Sequence, residues 1–316
     1  VLVTTHGTFD ADPSTLVVTA CQWEVTARKS GNVHRFSDFA DMSFDHFLYA
    51  SNFLGWVVRE RADLFQTGVG RFIRTACAPQ RGQVIPNTTL GIVLLLVPLL
   101  RVCYEKVYVR RMSSGPQFAE YDLRHRVLNV LNQLTVEDAA EVFRTIREIN
   151  PGGLGDAPEQ DVRAEPTVTL LEAMKLAADR DLIARQYANN YADVFDLGVP
   201  AFVAAFAKYG NVEAAVIACQ FAWMAAFPDS LIARKRGLAV AEDVQRRVRH
   251  VLSLGGLDTP EGRRAGVELD AYLRSDGNKL NPGTTADLVA ACLFVALREN
   301  KVTPSAPFRW NVPDWL

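Results

Sequence analysis

The chain has 316 residues, 49% hydrophobic and 22% charged, which is enough to bury a large core as one or two domains. Its net charge of −2 excludes the basic field that drives general nucleic-acid binding. The five cysteines, Cys21, Cys77, Cys103, Cys219 and Cys292, show no CxxC or Cys/His spacing, so the sequence argues against a zinc site and for buried thiols in a reducing cytoplasm.

In chain order the elements read as helices. No charged start, apolar stretch and cleavage pattern opens the sequence, so no signal peptide is expected. "DPSTLVVTACQWEVTA" offers Asp12 as N-cap and Pro13 at the first helical position. "SFDHFLYASNFLGWVVRERADLF" keeps an amphipathic period from Phe44 to Phe65. The apolar run Leu90–Leu100 falls short of the roughly 20 residues a spanning helix needs, and Pro98 and Arg101 favour a buried core helix. No membrane segment is expected.

"TVEDAAEVFRTIREI" starts at Thr135 with an acidic first turn, which suits the helix dipole. "TVTLLEAMKLAADRDLIARQYANNYADVF" reads as one or two helices. "VPAFVAAFAKYG" and "NVEAAVIACQFAWMAAF" are separated at Gly210–Asn211. "AVAEDVQRRVRHVLSLGG" ends in a glycine cap signal, and "TPEGRRAGVELDAYLRSDGN" and "TADLVAACLFVALREN" close the pattern. Alternating β-branched runs are scarce. The expectation is a single globular all-α domain over residues 1–316, with its longest irregular stretch at Asn150–Pro166.

Five polar islands remain between the helices. The first is "KSGNVHRFSDFADM", Lys29 to Met42, preceded by Glu24 on a helix; it is polar and without apolar period, and reads as a connector or the wall of a site. The second is "PNTTLG", where Asn87, Thr88 and Thr89 precede the apolar helix; ordinary capping is the plain alternative to ligand binding there. The third, Gly152–Arg163, carries Asp156, Glu159 and Asp161, and no strand precedes its glycines, so a dinucleotide fold is rejected. In the fourth, "PDSLIARKRG", Arg234, Lys235 and Arg236 are candidate phosphate clamps and Asp229 their partner or a Mg²⁺ ligand, set against a simple solvated face.

The fifth island, "KLNPGTTADL", is the most informative. Pro-Gly before Thr-Thr marks a turn into a helix, with Asn281 or Thr284 expected as cap. The first-turn amides beside the hydroxyls of Thr284 and Thr285 form an expected anion cradle. Asp287, one turn in, is placed to hold a cation shared with phosphates. His34 is the histidine set among several polar groups; His46, His125 and His250 lie on helices among ordinary charges, and His6 in the terminal segment.

Taken together, "KSGNVHR" with its Glu24 and "DM", then "NTTLG", then "DSLIARKRG", then "LNPGTTADLVAACLF" resemble the triphosphoribosyl-dephospho-CoA synthase family over about Ala20 to Leu297. The resemblance implies a single all-α domain and a transferase. In that reaction the 2′-hydroxyl of 3′-dephospho-CoA attacks the ribose C1′ of ATP, adenine leaves, and the triphosphate stays on the transferred ribose. The implied catalytic residues are Glu24, as base or orienter, with His34 and Asp41. Substrate contacts are implied for Lys29, Gly31, Asn32, Arg35, Asn87, Thr88, Arg234, Lys235, Asn281, Gly283, Thr284 and Thr285. Mg²⁺, bound with ATP, is implied near Asp41, Asp229 and Asp287.

The chain departs from the family pattern at His34, where citrate-lyase-type members carry an aspartate, and at Ser30, where they carry proline. "NTTLG" also lacks a histidine and a lysine of the family's segment. These departures keep two alternatives in view: the same fold acting on a different acceptor in one-carbon cofactor (tetrahydromethanopterin or methanofuran type) biosynthesis, or a non-catalytic helical binding protein. The expected partners are small molecules, ATP with dephospho-CoA or another acceptor, with no nucleic acid and no membrane. Oligomeric state is open, a homo-oligomer included.

Overall fold

The structure is a computed structural model that describes residues 12–112, 123–152 and 159–308, with backbone alone for 105–112. The described residues hold fifteen α-helices, bearing out the all-α expectation. They are α1 (Pro13–Thr26), α2 (Phe44–Glu60), α3 (Val69–Ala76), α4 (Ala78–Arg81), α5 (Leu90–Met112), α6 (Leu123–Asn132), α7 (Val136–Ile149) and α8 (Leu170–Ala177). Then come α9 (Leu182–Ala188), α10 (Val199–Tyr209), α11 (Val212–Ala226), α12 (Ser230–Arg236), α13 (Leu238–Ser253), α14 (Pro260–Arg274) and α15 (Gly283–Arg298). Extended pairing among the described residues is confined to two isolated bridges, His34 with Ser37 and Phe39 with Met42. His6 and Asp156 lie outside the described residues.

By internal contacts the described residues form two compact units, one within Thr19–Tyr49 and from Val194 onward, the other within Asp12–Val18 and Ala50–Asp193. In the second, α3 packs on α7 so closely that a Cβ on Gly70 would stand 2.4 Å from the Asp138 carbonyl oxygen. The acidic first turn of α7 does more than oppose the dipole. Thr135 and Asp138 form a capping box, and the Asp138 carboxylate also accepts the Gly70 N–H at 2.7 Å.

The apolar run of α5 is buried in the same unit. Pro98 removes the N–H that would bond the carbonyl four residues back, on Leu94. The Tyr187 hydroxyl donates to that carbonyl at 2.6 Å, and the Tyr191 hydroxyl to Leu95 O at 2.8 Å. Asn190 and Tyr191 both adopt left-handed backbone, φ 58° and 56°, in the turn that delivers the second ring.

One predicted helix is shorter than its apolar period, and the stretch read as one or two helices is two. The Phe44–Phe65 pattern breaks at Arg61 into α2 and a 3₁₀ turn, Ala62–Gln66. The long stretch after Thr167 becomes α8 and α9, with Asp181 capping the second, followed by a π-helical turn at Val194–Gly198.

In the first unit α15 is the buried centre. Leu288 to Ala296 are fully excluded from solvent, and α10, α11 and α12 pack against the helix. Gly198 is there because of crowding: a Cβ would lie 2.3 Å from Cys292 Sγ. No single helix among the described residues is long and apolar enough to cross a membrane; one bent pair, Val212–Ala226 with Ser230–Arg236, meets the length and composition test. Most of that pair's apolar side chains are core of this unit.

Candidate functional site

The last turn of α1 and the loop that follows carry most of the charge. Lys29 is fully buried, and its Nζ donates to Glu24 Oε1 at 2.8 Å and to the Glu24 carbonyl at 2.6 Å. Burial pushes the Glu24 carboxyl up, and the Lys29 charge opposes that shift. A carboxylate 2% exposed and bonded to its own lysine is placed to orient Lys29. Arg28 and Arg35 converge on a second buried carboxylate, Glu213 in the first turn of α11. The Arg28 Nε sits 2.9 Å from Oε1, with Nη2 3.0 Å from Oε2, and Arg35 repeats the fork at 2.7 and 3.0 Å.

The loop backbone is pinned from two helices. Gln220 on α11 accepts the Ser30 N–H at 3.0 Å and donates to Ser30 O at 2.8 Å and Asn32 Oδ1 at 2.9 Å. Asn32 Nδ2 donates to Asn281 Oδ1 at 2.6 Å and to Pro282 O at 3.3 Å. Asp270 on α14 accepts the Gly31 N–H at 2.7 Å, and Arg274 donates to Asn32 O at 2.7 Å. Gly31 is required twice over, by its φ of 73° and by Leu273, whose Cβ would lie 2.6 Å from an added Cβ.

His34 follows in a tight turn closed by its own backbone with Ser37. Its Nδ1 accepts the Phe36 N–H at 3.2 Å, so the ring proton sits on Nε2. Burial, then the charges of Lys29, Arg274, Arg35 and Arg28, hold the imidazole neutral, down to about 3. His34 is therefore an uncharged N–H donor in a positive environment.

The fifth island differs from its sequence reading. Neither Asn281 nor Thr284 caps α15; Pro282 stands at the N-cap position with no side-chain bond. Asp229 does the capping instead. Its Oδ1 accepts Leu231 N–H and Ile232 N–H at 2.9 and 3.0 Å, starting α12, and its Oδ2 accepts the Thr285 N–H and hydroxyl at 2.7 and 2.8 Å, starting α15. The expected anion cradle thus holds the protein's own carboxylate. Gly283 N–H is taken by Asn281 O and Ala286 N–H by Pro282 O. Thr284 pairs its hydroxyl with Ser230. Gly283 is glycine because Leu231 Cδ2 would lie 2.6 Å from an added Cβ.

With all four acceptor positions of Asp229 engaged, it does not fit a Mg²⁺ ligand, correcting that assignment. Among the described residues no group of three or more His, Cys, Asp or Glu is arranged to hold a metal, so Asp41, Asp229 and Asp287 are not one cluster. Asp41 is exposed and accepts from Asn278 Nδ2 with both oxygens, at 2.9 and 2.7 Å, and Lys235 Nζ donates to the Asn278 carbonyl and side-chain oxygens at 3.1 and 3.2 Å. Asn278 thus joins two predicted residues. Arg236 pairs with Asp276, and Arg234 lies on the same short helix. Asp287 is half-buried on α15, just past its first turn.

Asn87 and Thr88 belong to the other unit, at the start of α5. Asn87 Oδ1 accepts the Leu90 N–H at 3.3 Å and Thr88 lies 3.4 Å from Gln80 Nε2, which is ordinary capping and packing. Asp161 is ion-paired with Arg163 at 2.7 Å. Sequence reasoning missed Glu213, Gln220, Asp270, Arg274 and Asn278. The signal for the first two was present: they are the polar residues of the otherwise apolar "VEAAVIACQFAWMAA".

The family model for CitG, ATP:dephospho-CoA triphosphoribosyl transferase, matches residues 10–305. The chain belongs to the CitG family. A solved structure from Archaeoglobus fulgidus, whose assigned name is triphosphoribosyl-dephospho-CoA synthase, is similar with a TM-score of 0.54 and 25% identity, covering 81% of this chain and 98% of that one. A curated protein of Pseudomonas savastanoi pv. phaseolicola (strain 1448A / Race 6), whose assigned name is 2-(5''-triphosphoribosyl)-3'-dephosphocoenzyme-A synthase, is 32% identical over 113 residues. That match spans 35% of this chain and 38% of the relative's length. The CitG match bears out the resemblance read from the islands and makes the chain a member of a transferase family.

For this CitG-family chain the neutral imidazole has a measurable consequence. The unfolded histidine takes a proton near pH 6.5, whereas the folded one does not until about 3, so His34 favours the folded state above pH 6.5 and that contribution is lost as pH falls. Comparing urea midpoints of the wild type and His34→Gln from pH 7 to 5 should show the wild type losing about 1.4 kcal/mol more per pH unit below 6.5. Parallel curves would place a charged imidazole in the fold.

Proposed function

We propose that the chain transfers the triphosphoribosyl group of ATP to the 2′-hydroxyl of 3′-dephospho-CoA, releasing adenine, in the cytoplasm where both are found. The observation that carries this reading is the exposed end of the loop: Asp41 and Lys235 meet at Asn278, Arg234 lies on the same helix as Lys235, and His34 holds its Nε2 as the donor. Such cations suit a polyanionic nucleotide. The CitG family match supplies the reaction class, and no observation favours the one-carbon acceptor or a non-catalytic role.

In the proposed reaction the C1′–N9 bond breaks with its electron pair going to N9 as the C1′–O bond forms. Adenine takes up one proton through solvent and leaves neutral, in exchange for the hydroxyl proton, which passes to a carboxylate with no net proton gained or lost. Asp41, exposed and fixed by Asn278, is the accessible carboxylate for that proton. His34 Nε2–H and Asn281 Nδ2 donate to the nucleotide, Lys235 and Arg234 face the phosphates, and Glu24 keeps Lys29 in place. Mg²⁺ arriving with the triphosphate would neutralise and orient its oxygens, with Asp287 as the protein carboxylate nearest that role.

The purified protein with ATP, Mg²⁺ and 3′-dephospho-CoA should release adenine and form a triphosphoribosyl adduct detectable by mass spectrometry. Asp287→Ala should lower turnover by about a hundredfold or more with unchanged helical content. Absence of both products from the wild type, or full turnover by the variant, would sink the reaction or the Asp287 assignment respectively.

A further inference from the structure

Arg274 is bonded through two of its three nitrogens. Its Nε donates to the Asp270 carboxylate at 2.9 and 3.0 Å, and its Nη2 to Asn32 O at 2.7 Å. Its Nη1 is buried and has no acceptor among the described residues. A guanidinium keeps its proton at any ordinary pH, so the N–H bonds of Nη1 cannot be silenced by titration. Buried polar groups nearly always find partners, and an exception calls for a cause.

What lies over this guanidinium is an aromatic ring: Arg274 Cζ stands 5.6 Å from the centre of Phe39. A ring face answers a cation far more weakly than a charged oxygen does. Phe39 opens a turn that bonds mainly to itself, through its N–H to Met42 O at 2.9 Å and the Met42 N–H to Phe39 O at 3.2 Å. Asp38, Ala40 and Asp41 are exposed around it, and Asp41 ties the turn to Asn278 at the surface. Lifting this turn breaks few bonds. It bares the unfilled donor of an arginine whose charge already reaches His34.

We infer that Phe39 is a displaceable cover and Arg274 a phosphate ligand: as the nucleotide binds, the ring gives way and Nη1 donates to a phosphate oxygen. This rests on the nucleotide reading above and adds to it a cation on α14. Asp270 and Asn32 hold the other two nitrogens, so the guanidinium is already oriented when the ring leaves, and little side-chain entropy remains to be lost.

The test is a gain of affinity on removing a side chain. Mg²⁺ and inorganic triphosphate are titrated by calorimetry into the wild type, Phe39→Ala, Arg274→Lys and the double variant. Phe39→Ala should bind about two- to fivefold more tightly than the wild type, because no ring–cation contact has to be given up. Arg274→Lys keeps the charge but lacks the second arm and should bind about tenfold more weakly. Adding Phe39→Ala to Arg274→Lys should bring no gain, since both changes act on one donor. A ring that merely steadies the turn predicts the opposite sign, with Phe39→Ala weakening binding.

Equal or weaker binding by Phe39→Ala therefore overturns the inference, and decides it even if Arg274→Lys fails to fold. A gain that persists in the double variant overturns it too, because the ring would then cover some other group. If neither the wild type nor Phe39→Ala binds triphosphate, the nucleotide reading falls with it. Triphosphate binding by the wild type with no tightening in Phe39→Ala overturns this inference alone.

Discussion

Glu213→Ala should cost about 3–5 kcal/mol of folding stability, the range for breaking a buried ion network from one side. The carboxylate receives forked bonds from Arg28 and Arg35, both within 5% of full burial at the side chain, and also the Arg28 backbone N–H at 3.2 Å. Removing it leaves two guanidinium groups facing each other in a low-dielectric interior. The damage spreads to the loop, because Arg35 also donates to Thr26 O at 2.6 Å and so ties the turn after His34 to the end of α1. Glu213→Gln keeps acceptor capacity without charge and should fall between.

The same carboxylate sets part of the acid limit. Burial pushes Glu213 up, but the hydrogen bonds and charges of Arg28 and Arg35 outweigh it and hold the group below its ordinary value. Its contribution is complete above the unfolded carboxyl's 4.5 and is lost as pH falls through the lower folded value. Urea unfolding at pH 7 measures the effect, and a wild-type midpoint for Glu213→Ala would show that the two arginines do not depend on it.

Asp229→Ala should be the second costly change, at about 3 kcal/mol, from two lost caps and buried donors left without acceptors. The informative readout is local. Amide hydrogen exchange at Leu231, Ile232 and Thr285 should accelerate together, since one side chain holds all three. Asp229→Asn should keep one cap and set an amide NH₂ against the Thr285 donors, weakening only one helix start. Unchanged exchange in Asp229→Ala would refute the shared cap.

The helices were legible because their punctuation is local. Thr135, Asp181, Asn211 and Thr259 all cap where capping chemistry puts such residues, and Gly210 takes the left-handed position after α10. The site was legible as a set of islands but not as bonds. "NPGTTADL" reads as an open helix start because the group that closes it, Asp229, lies 56 positions away from Thr285. Glu213 and Gln220 stand out as the polar residues of an apolar helix, but their partners, Arg28, Arg35 and Ser30, are 185, 178 and 190 positions distant, and no spacing rule spans that separation. Asn278 looked like part of a helix end, and its link from Lys235 to Asp41 is made only by the fold.

The bond between Tyr187 and the carbonyl that Pro98 leaves vacant limits how this sequence can drift. The dependence runs one way: losing the hydroxyl alone strips the Leu94 carbonyl of its donor, whereas an N–H restored at 98 would share a carbonyl that has two acceptor sites. Position 187 therefore keeps a donor for as long as position 98 keeps its proline, while the proline itself is free to change.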